Sequence, residues 1–208
     1  FETDMDFTPY EKDRIMQLKD ENKLDELFRM LFIKQCNKLN EILPELFEKT
    51  ADYTELLLTI SFTDGDGIVI TPPVYPPFFP VVRDMAQRSL VEVPLSRDAA
   101  GRFDFDLAAL AHAFARPDVT GFVMSSPHNP TGTVPSRQTL ESIAELAAGH
   151  HVVVISDEIH APLVLPGATH TPYLTIAGPQ AQAVSVLSAS KAWNLPGLKC
   201  AQLVGSPA

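Results

Sequence analysis

The chain is poor in cysteine and lacks the marks of several protein classes. Its 208 residues include two cysteines, Cys36 and Cys200, which are too far apart for a metal-binding motif or a disulfide framework. No apolar run approaches the length of a membrane span, and no signal peptide opens the chain. The formal net charge of −10 disfavours nucleic-acid binding, which uses basic surfaces. We therefore expect a cytoplasmic globular protein without a metal site.

Lysine is nearly absent from the middle of the chain, and its distribution divides the sequence. Six of the eight lysines lie within residues 12–49. In residues 24–32 and 39–47, leucine, isoleucine and phenylalanine recur at the spacing of amphipathic helices. We predict a helical N-terminal segment over residues 1–60 and a separate domain over residues 61–208.

Apolar runs alternate with amphipathic segments in the second part of the chain. This alternation predicts an α/β fold with a mostly parallel sheet flanked by helices on both faces. The expected helices span residues 77–87, 105–115 and 136–148, with a further helix considered after Lys191. The expected strands span residues 67–71, 90–94, 121–125, 152–155, 183–187 and 200–204.

Lys191 lies shortly after the predicted strand over residues 183–187. No other lysine occurs between Thr50 and Ser190, and two hydroxyl side chains, Ser188 and Ser190, precede Lys191. Desolvation at the end of a buried strand lowers the pKa of an amine and makes it a nucleophile that can form a Schiff base. The alternative is an ordinary surface lysine at the start of a helix.

Asn129 lies in the segment Ser-Pro-His-Asn-Pro-Thr-Gly, residues 126–132, after the predicted strand 121–125. The prolines and the glycine end the strand and force a tight turn. The side-chain amide of Asn129 can donate a hydrogen bond to a phenolate-type oxygen. The alternative is an Asn-Pro turn that binds no ligand.

Asp157 opens the segment Asp-Glu-Ile-His, residues 157–160, after the β-branched strand 152–155. A carboxylate at that position can pair with a protonated ring nitrogen, and His160 can reach the same ligand. The alternatives are a helix N-cap for Asp157 and a turn cap for His160.

These motifs follow predicted strands at the edge where open α/β sheets bind ligands. Residues 62–208 resemble the fold-type I pyridoxal-phosphate enzymes of the class I/II aminotransferase superfamily. Within it they are most similar to the carbon–sulfur lyase branch, of the cystathionine β-lyase type. The resemblance rests on residues 64–67 (Asp-Gly-Asp-Gly), 73–78 (Pro-Val-Tyr-Pro-Pro-Phe), 126–132, 157–160 and 190–198 (Ser-Lys-Ala-Trp-Asn-Leu-Pro-Gly-Leu).

The resemblance implies pyridoxal 5'-phosphate as the cofactor. Lys191 resembles the lysine that binds this cofactor as a Schiff base and later moves the α-proton of the substrate. Asp157 matches the acid that pairs with the pyridine nitrogen, and Asn129 and His160 match donors to the 3-oxygen of the ring. Tyr75 matches the aromatic residue that stacks on the ring. Three further residues match positions on the phosphate side of the cofactor: Ser188, Ser190 and Lys199.

The resemblance also implies a small amino-acid substrate and a homodimer. Two features of the family are not identified in the sequence: a glycine- or serine-led phosphate-binding turn before residues 64–67, and a carboxyl-terminal small domain with its carboxylate-binding arginine. We therefore expect a partial large domain of a carbon–sulfur β-lyase acting on a sulfur amino acid such as cystathionine, with little activity alone. The alternatives are a class I/II aminotransferase and a non-catalytic remnant or interaction domain.

Overall fold

The computed structural model describes Phe62 and residues 65–178, 182–195 and 201–205. The predicted helical segment over residues 1–60 lies outside the described residues. Eight strands are present in the described part of the chain: β1 (Gly67–Ile70), β2 (Ser89–Glu92), β3 (Ser96–Arg97), β4 (Phe103–Asp104), β5 (Val119–Ser125), β6 (Val153–Asp157), β7 (Ala183–Ser188) and β8 (Ala201–Gly205). The helices are α1 (Phe78–Pro80), which runs into a π-helical turn (Val81–Met85), α2 (Leu107–Phe114), α3 (Arg137–His150) and α4 (Leu174–Ala177), with a 3-10 turn at Ala161–Leu163.

Six strands form one sheet in the order β2-β1-β5-β6-β7-β8. The first five run parallel, and β8 pairs antiparallel with β7. β3 and β4 form a separate antiparallel hairpin. The predicted mostly parallel sheet is confirmed.

Both faces of the sheet are covered by apolar side chains, as its continuous apolar strands require. Along β5, Phe122 and Met124 belong to one core cluster, whereas Val123 between them belongs to the other. The first cluster joins the sheet to α2, α3 and α4 through side chains such as Leu110, Phe114, Leu140 and Ile143. The second joins it to α1 and the π-helical turn through Ile68, Ile70, Phe78 and Val82.

Two of the predicted helices begin where their capping residues indicate. The side chain of Asp106 accepts a hydrogen bond from the Ala109 amide at 2.9 Å, and that of Ser136 accepts one from the Thr139 amide at 3.0 Å. Such caps satisfy amide groups that lack intrahelical partners. α2 and α3 therefore start one residue after a local polar signal.

The structure differs from the sequence prediction in four elements. The helix expected over residues 77–87 is divided between α1 and the π-helical turn; Pro80 in its middle has no amide proton to donate. The hairpin β3–β4 and the short helix α4 were not predicted. A turn, rather than a helix, follows Lys191 as far as Asn194, consistent with the restriction that Pro196 places on the residue before it.

Candidate functional site

Three predicted motifs meet at one edge of the sheet because β5, β6 and β7 are parallel neighbours. Ser125 at the end of β5 is paired with Asp157 at the end of β6, and Asp157 is paired with Val186 of β7. Beyond the strands, the Ser126 amide donates to the Asp157 carbonyl at 2.9 Å. The turns that follow these strands therefore leave the sheet side by side.

Asn129 lies in the turn after β5. The backbone amide of Asn129 donates to the Ser125 hydroxyl at 3.2 Å. This hydrogen bond holds the turn against the end of β5. Asn129 is half-buried and lines a cavity of about 250 Å³ together with His160, Leu163 and Val164. The structure thus brings together the two residues predicted to donate to one ligand oxygen.

His160 is a partly buried residue that also lines this cavity. Burial lowers its pKa, and the positive charge of Lys191 lowers it further. His160 is therefore biased toward its neutral form, which carries one N–H donor.

Asp157 is a buried carboxylate at the end of β6. One of its oxygens accepts a hydrogen bond from the Ile159 amide at 3.1 Å, which forms an Asx turn. The residues after it form a turn and then the 3-10 turn, so Asp157 does not cap an α-helix. The N-cap alternative is therefore wrong.

Lys191 is exposed in the turn after β7. The Ser188 hydroxyl donates to the Ser190 hydroxyl at 2.9 Å and accepts from the Ser190 amide at 3.0 Å, which fixes the start of this turn. The side chain does not have the desolvated surroundings that the sequence argument assumed. Its electrostatic effect on His160 is the feature that connects it to the cavity.

The other predicted residues lie apart from this cavity or outside the described chain. Tyr75 is half-buried after β1 and packs edge-on against Phe78, with ring centroids 5.7 Å apart. Ser188 lines a second cavity, of about 370 Å³, together with Trp193. Lys199 lies outside the described residues. Within the described part of the chain, Tyr75 is not among the residues lining either of these two cavities.

The sequence analysis did not single out Glu158, which is a buried carboxylate with several hydrogen-bond partners. The residue is 1 % exposed, and one carboxylate oxygen accepts hydrogen bonds from the Ser156 hydroxyl at 2.9 Å, the Ser185 hydroxyl at 3.0 Å and the Tyr173 amide at 2.9 Å. The other oxygen lies 3.2 Å from Nε2 of His170. The available signal was a charged residue directly after a buried strand, which must be paired to be tolerated.

These contacts decide the ionisation of Glu158. Burial alone raises the pKa of its carboxyl group, but the hydrogen bonds, with that of His170 first, outweigh burial and lower the pKa below its usual value. Glu158 therefore remains a carboxylate that joins β6 and β7 to the segment around His170. Glu158 also lines the second cavity, together with Ser188 and Trp193.

Comparison with known proteins identifies the family. The sequence profile of the aminotransferase class I and II family matches residues 50–208. The chain belongs to this family. It is 50 % identical over 144 residues to a Mycobacterium leprae protein that carries a provisional cystathionine beta-lyase name; the match covers 66 % of the chain and 34 % of that protein.

Solved structures of the family share the fold. A pyridoxal-phosphate-bound carbon–sulfur lyase from Staphylococcus hominis superposes with a TM-score of 0.67 at 27 % identity, covering 74 % of this chain and 39 % of the other. N-succinyldiaminopimelate aminotransferase from Mycobacterium tuberculosis gives a TM-score of 0.67 at 34 % identity, covering 76 % and 41 %. The chain thus spans between a third and about two-fifths of the length of these proteins.

The residues at the strand ends fit the functional groups of pyridoxal phosphate. Asn129 and the neutral imidazole of His160 supply donors suited to a phenolic oxygen, and the carboxylate of Asp157 suits a protonated ring nitrogen. Among the described residues, no cluster of three or more histidine, cysteine or acidic side chains is placed to hold a metal ion. In that same part of the chain, no helix has the length and apolarity needed to cross a bilayer.

Proposed function

We propose that this chain forms the pyridoxal-phosphate-binding part of a carbon–sulfur β-lyase. The observation that carries the proposal is the cavity that Asn129 and His160 share, at the edge of the sheet where Asp157 ends β6. The identity to the Mycobacterium leprae relative and the likeness to the Staphylococcus hominis lyase support β-elimination as its chemistry. The proposed substrate is a small sulfur amino acid such as cystathionine.

The proposed roles follow from charge and position. The carboxylate of Asp157 holds a proton on the ring nitrogen, while Asn129 and His160 donate hydrogen bonds to the ring oxygen. Tyr75 supplies a ring face for stacking, and Ser188, Ser190 and Lys199 supply hydroxyl donors and a positive charge for the phosphate. When bound, pyridoxal phosphate delocalises the electron pair that remains when the α-proton of the substrate is removed.

Lys191 moves the proton in this proposal. Its neutral amine takes the α-proton at Nζ, and the carbon–sulfur bond then breaks with the electron pair leaving on sulfur. The released 2-aminoacrylate reacts with water to give pyruvate and ammonia. Because Lys191 is exposed in the described structure, bound ligand or other parts of the protein must shield its side chain from water in this proposal.

Product analysis tests the proposal. The purified protein is incubated with pyridoxal phosphate and cystathionine, and pyruvate and ammonia are measured with and without an added keto acid. A β-lyase releases both products without an acceptor. Release that depends on the keto acid, with formation of its amino acid, would instead favour the second candidate, an aminotransferase, which the likeness to the Mycobacterium tuberculosis enzyme supports.

Several properties of the whole protein remain predictions. We predict a homodimer in the cytoplasm. We also predict low activity for the 208-residue chain by itself, because it spans about a third of the length of its Mycobacterium leprae relative. Cofactor binding without turnover would favour the third candidate, a non-catalytic domain.

A further inference from the structure

A chain of polar side chains runs through the turn after β5. Nδ1 of His128 lies 3.1 Å from the Thr131 hydroxyl oxygen, which lies 2.9 Å from the Thr133 hydroxyl oxygen. The Thr133 hydroxyl donates to the Phe103 carbonyl at 3.1 Å. At the other end, Nε2 of His128 lies 3.5 Å from the Thr71 hydroxyl oxygen.

The Phe103 carbonyl sets the direction of this chain because a carbonyl can only accept. Thr133 gives its single hydroxyl proton to Phe103 and must therefore accept from Thr131. Thr131 has then used its own proton and must accept from Nδ1 of His128. With the hydrogen bonds directed in this way, Nδ1 of His128 carries the proton, and Nε2 is the acceptor that faces the Thr71 hydroxyl.

The buried surroundings of His128 keep its imidazole ring neutral. The ring is 2 % exposed and packs against Phe105, with ring centroids 6.1 Å apart. Burial lowers the pKa of His128 to about 4, although the backbone of Thr71 partly offsets the effect. At neutral pH the imidazole is uncharged, so only one of its nitrogens carries a hydrogen.

The backbone of Thr71 offers a competing arrangement, in which Nε2 carries the proton. Thr131 would then have to turn its hydroxyl toward Nδ1 and away from Thr133. Either the two hydroxyl oxygens, 2.9 Å apart, would then face each other without a proton between them, or Thr133 would donate to Thr131 and give up its hydrogen bond to the Phe103 carbonyl. Both cases cost the free energy of one unmade hydrogen bond. The Nδ1–H form avoids that cost.

His128 also closes the turn through its backbone. Its amide donates to the Thr133 carbonyl at 2.8 Å, and its carbonyl accepts from the Gly132 amide at 2.8 Å. Asn129 is the next residue and faces the cavity from this turn. The ring and the backbone of His128 therefore fix the same short segment, and they connect it to the end of β1 and to the hairpin β3–β4.

We propose that His128 is a positioning residue: held as the Nδ1–H tautomer by the Thr131–Thr133–Phe103 chain, it fixes the turn that presents Asn129 to the cavity. The role of Asn129 as a cofactor ligand rests on the proposed function, whereas the tautomer of His128 does not. The two parts are therefore tested separately.

The tautomer is read by nitrogen NMR of the ¹⁵N-labelled protein without cofactor. The His128 signals are assigned by their loss in His128→Asn. The expected spectrum shows a protonated Nδ1 and an unprotonated Nε2 near neutral pH. Thr133→Val removes the donor to Phe103 and shifts His128 toward the Nε2–H form, whereas the exposed control Thr175→Val does not. A proton on Nε2 in the natural protein, or no shift in Thr133→Val, overturns the assignment.

The positioning role is read from cofactor affinity in paired variants. The amide of His128→Asn occupies the place of Nδ1 and keeps a donor for Thr131, whereas the longer amide of His128→Gln does not. We expect His128→Gln to weaken pyridoxal-phosphate binding about tenfold and His128→Asn to keep affinity within about threefold. Thermal unfolding identifies any variant that fails to fold, and Thr133→Val then takes the place of His128→Gln.

The outcomes separate the two proposals. Equal affinity of His128→Gln and the natural protein, with the tautomer as expected, overturns the positioning role. A natural protein that binds no pyridoxal phosphate overturns the proposed function while leaving the tautomer of His128 established by NMR.

Discussion

Asn129 and His160 line one cavity from turns that follow the adjacent strands β5 and β6. Neither turn determines this meeting alone, because it depends on the pairing of Ser125 with Asp157 at the ends of those strands. Parallel pairing places both turns at the same edge of the sheet, where α/β proteins bind ligands. The predictions below test the residues at this edge and the core that supports it.

Lys191→Ala should abolish trapping of pyridoxal phosphate by borohydride. The reason is that reduction fixes the cofactor only where an amine has formed a Schiff base with it. Lys199→Ala, the matched control, should only weaken binding by removing a positive charge from the phosphate side. Mass spectrometry of the reduced proteins measures the label, and equal labelling of Lys191→Ala and the natural protein would show that another amine reacts.

Asp157→Asn should retain cofactor binding but slow exchange of the substrate α-proton with deuterium. An amide cannot hold a proton on the ring nitrogen as a carboxylate does, so the ring becomes a poorer electron sink. We expect a loss of about tenfold or more, which corresponds to a charge-assisted hydrogen bond. Asp98→Asn, in the connection between β3 and β4, is the control. An exchange rate unchanged by Asp157→Asn would remove Asp157 from this role.

Phe122→Ala should destabilise the fold by about 3–5 kcal/mol, the usual cost of deleting a fully buried aromatic side chain. The Phe122 ring is 0 % exposed and contacts Phe105 and Phe114, with ring centroids 6.3 and 5.6 Å away. Leu165→Ala, at a site that is 76 % exposed, should change the free energy of unfolding by less than about 0.5 kcal/mol. Urea denaturation measures both, and similar effects of the two substitutions would contradict the core assignment.

His128 should make the protein less stable in mild acid. Its folded-state pKa is lowered from 6.5 to about 4, so the unfolded chain binds the proton more readily. The stability contribution is therefore fully present above pH 6.5 and is lost as pH falls through about 4, by roughly 3 kcal/mol in all.

His128→Asn tests this pH dependence because it keeps a donor but cannot titrate. Urea denaturation at pH 7 and pH 5 should show a smaller loss of stability for this variant than for the natural protein. His112→Asn, at an exposed position on α2, should leave the pH dependence unchanged. An identical pH dependence in all three proteins would mean that His128 titrates at its ordinary pKa.

Part of the site follows from local sequence alone. The apolar runs before Asn129, Asp157 and Lys191 predict buried strands because such runs are stable only when both faces are covered. Proline and glycine after β5, aspartate at the end of β6 and serine at the end of β7 then form turns through interactions that act over a few residues. The edge of the sheet, the turn bearing Asn129 and the position of Asp157 at a strand end could therefore be predicted.

The partners of these side chains depend on tertiary structure. Glu158 finds His170 and Ser185, and His128 finds Thr71, because strand order brings separate segments together; no local pattern specifies such pairs. The same holds for Lys191, whose sequence environment suggested burial but whose turn lies exposed. The sequence by itself determined which residues stand at the strand ends, since burial and turn formation are local. Only the packed sheet decided which of them share a cavity. The reason is that distances between separate segments, the burial of their side chains and the direction of their hydrogen bonds are set only in the folded protein.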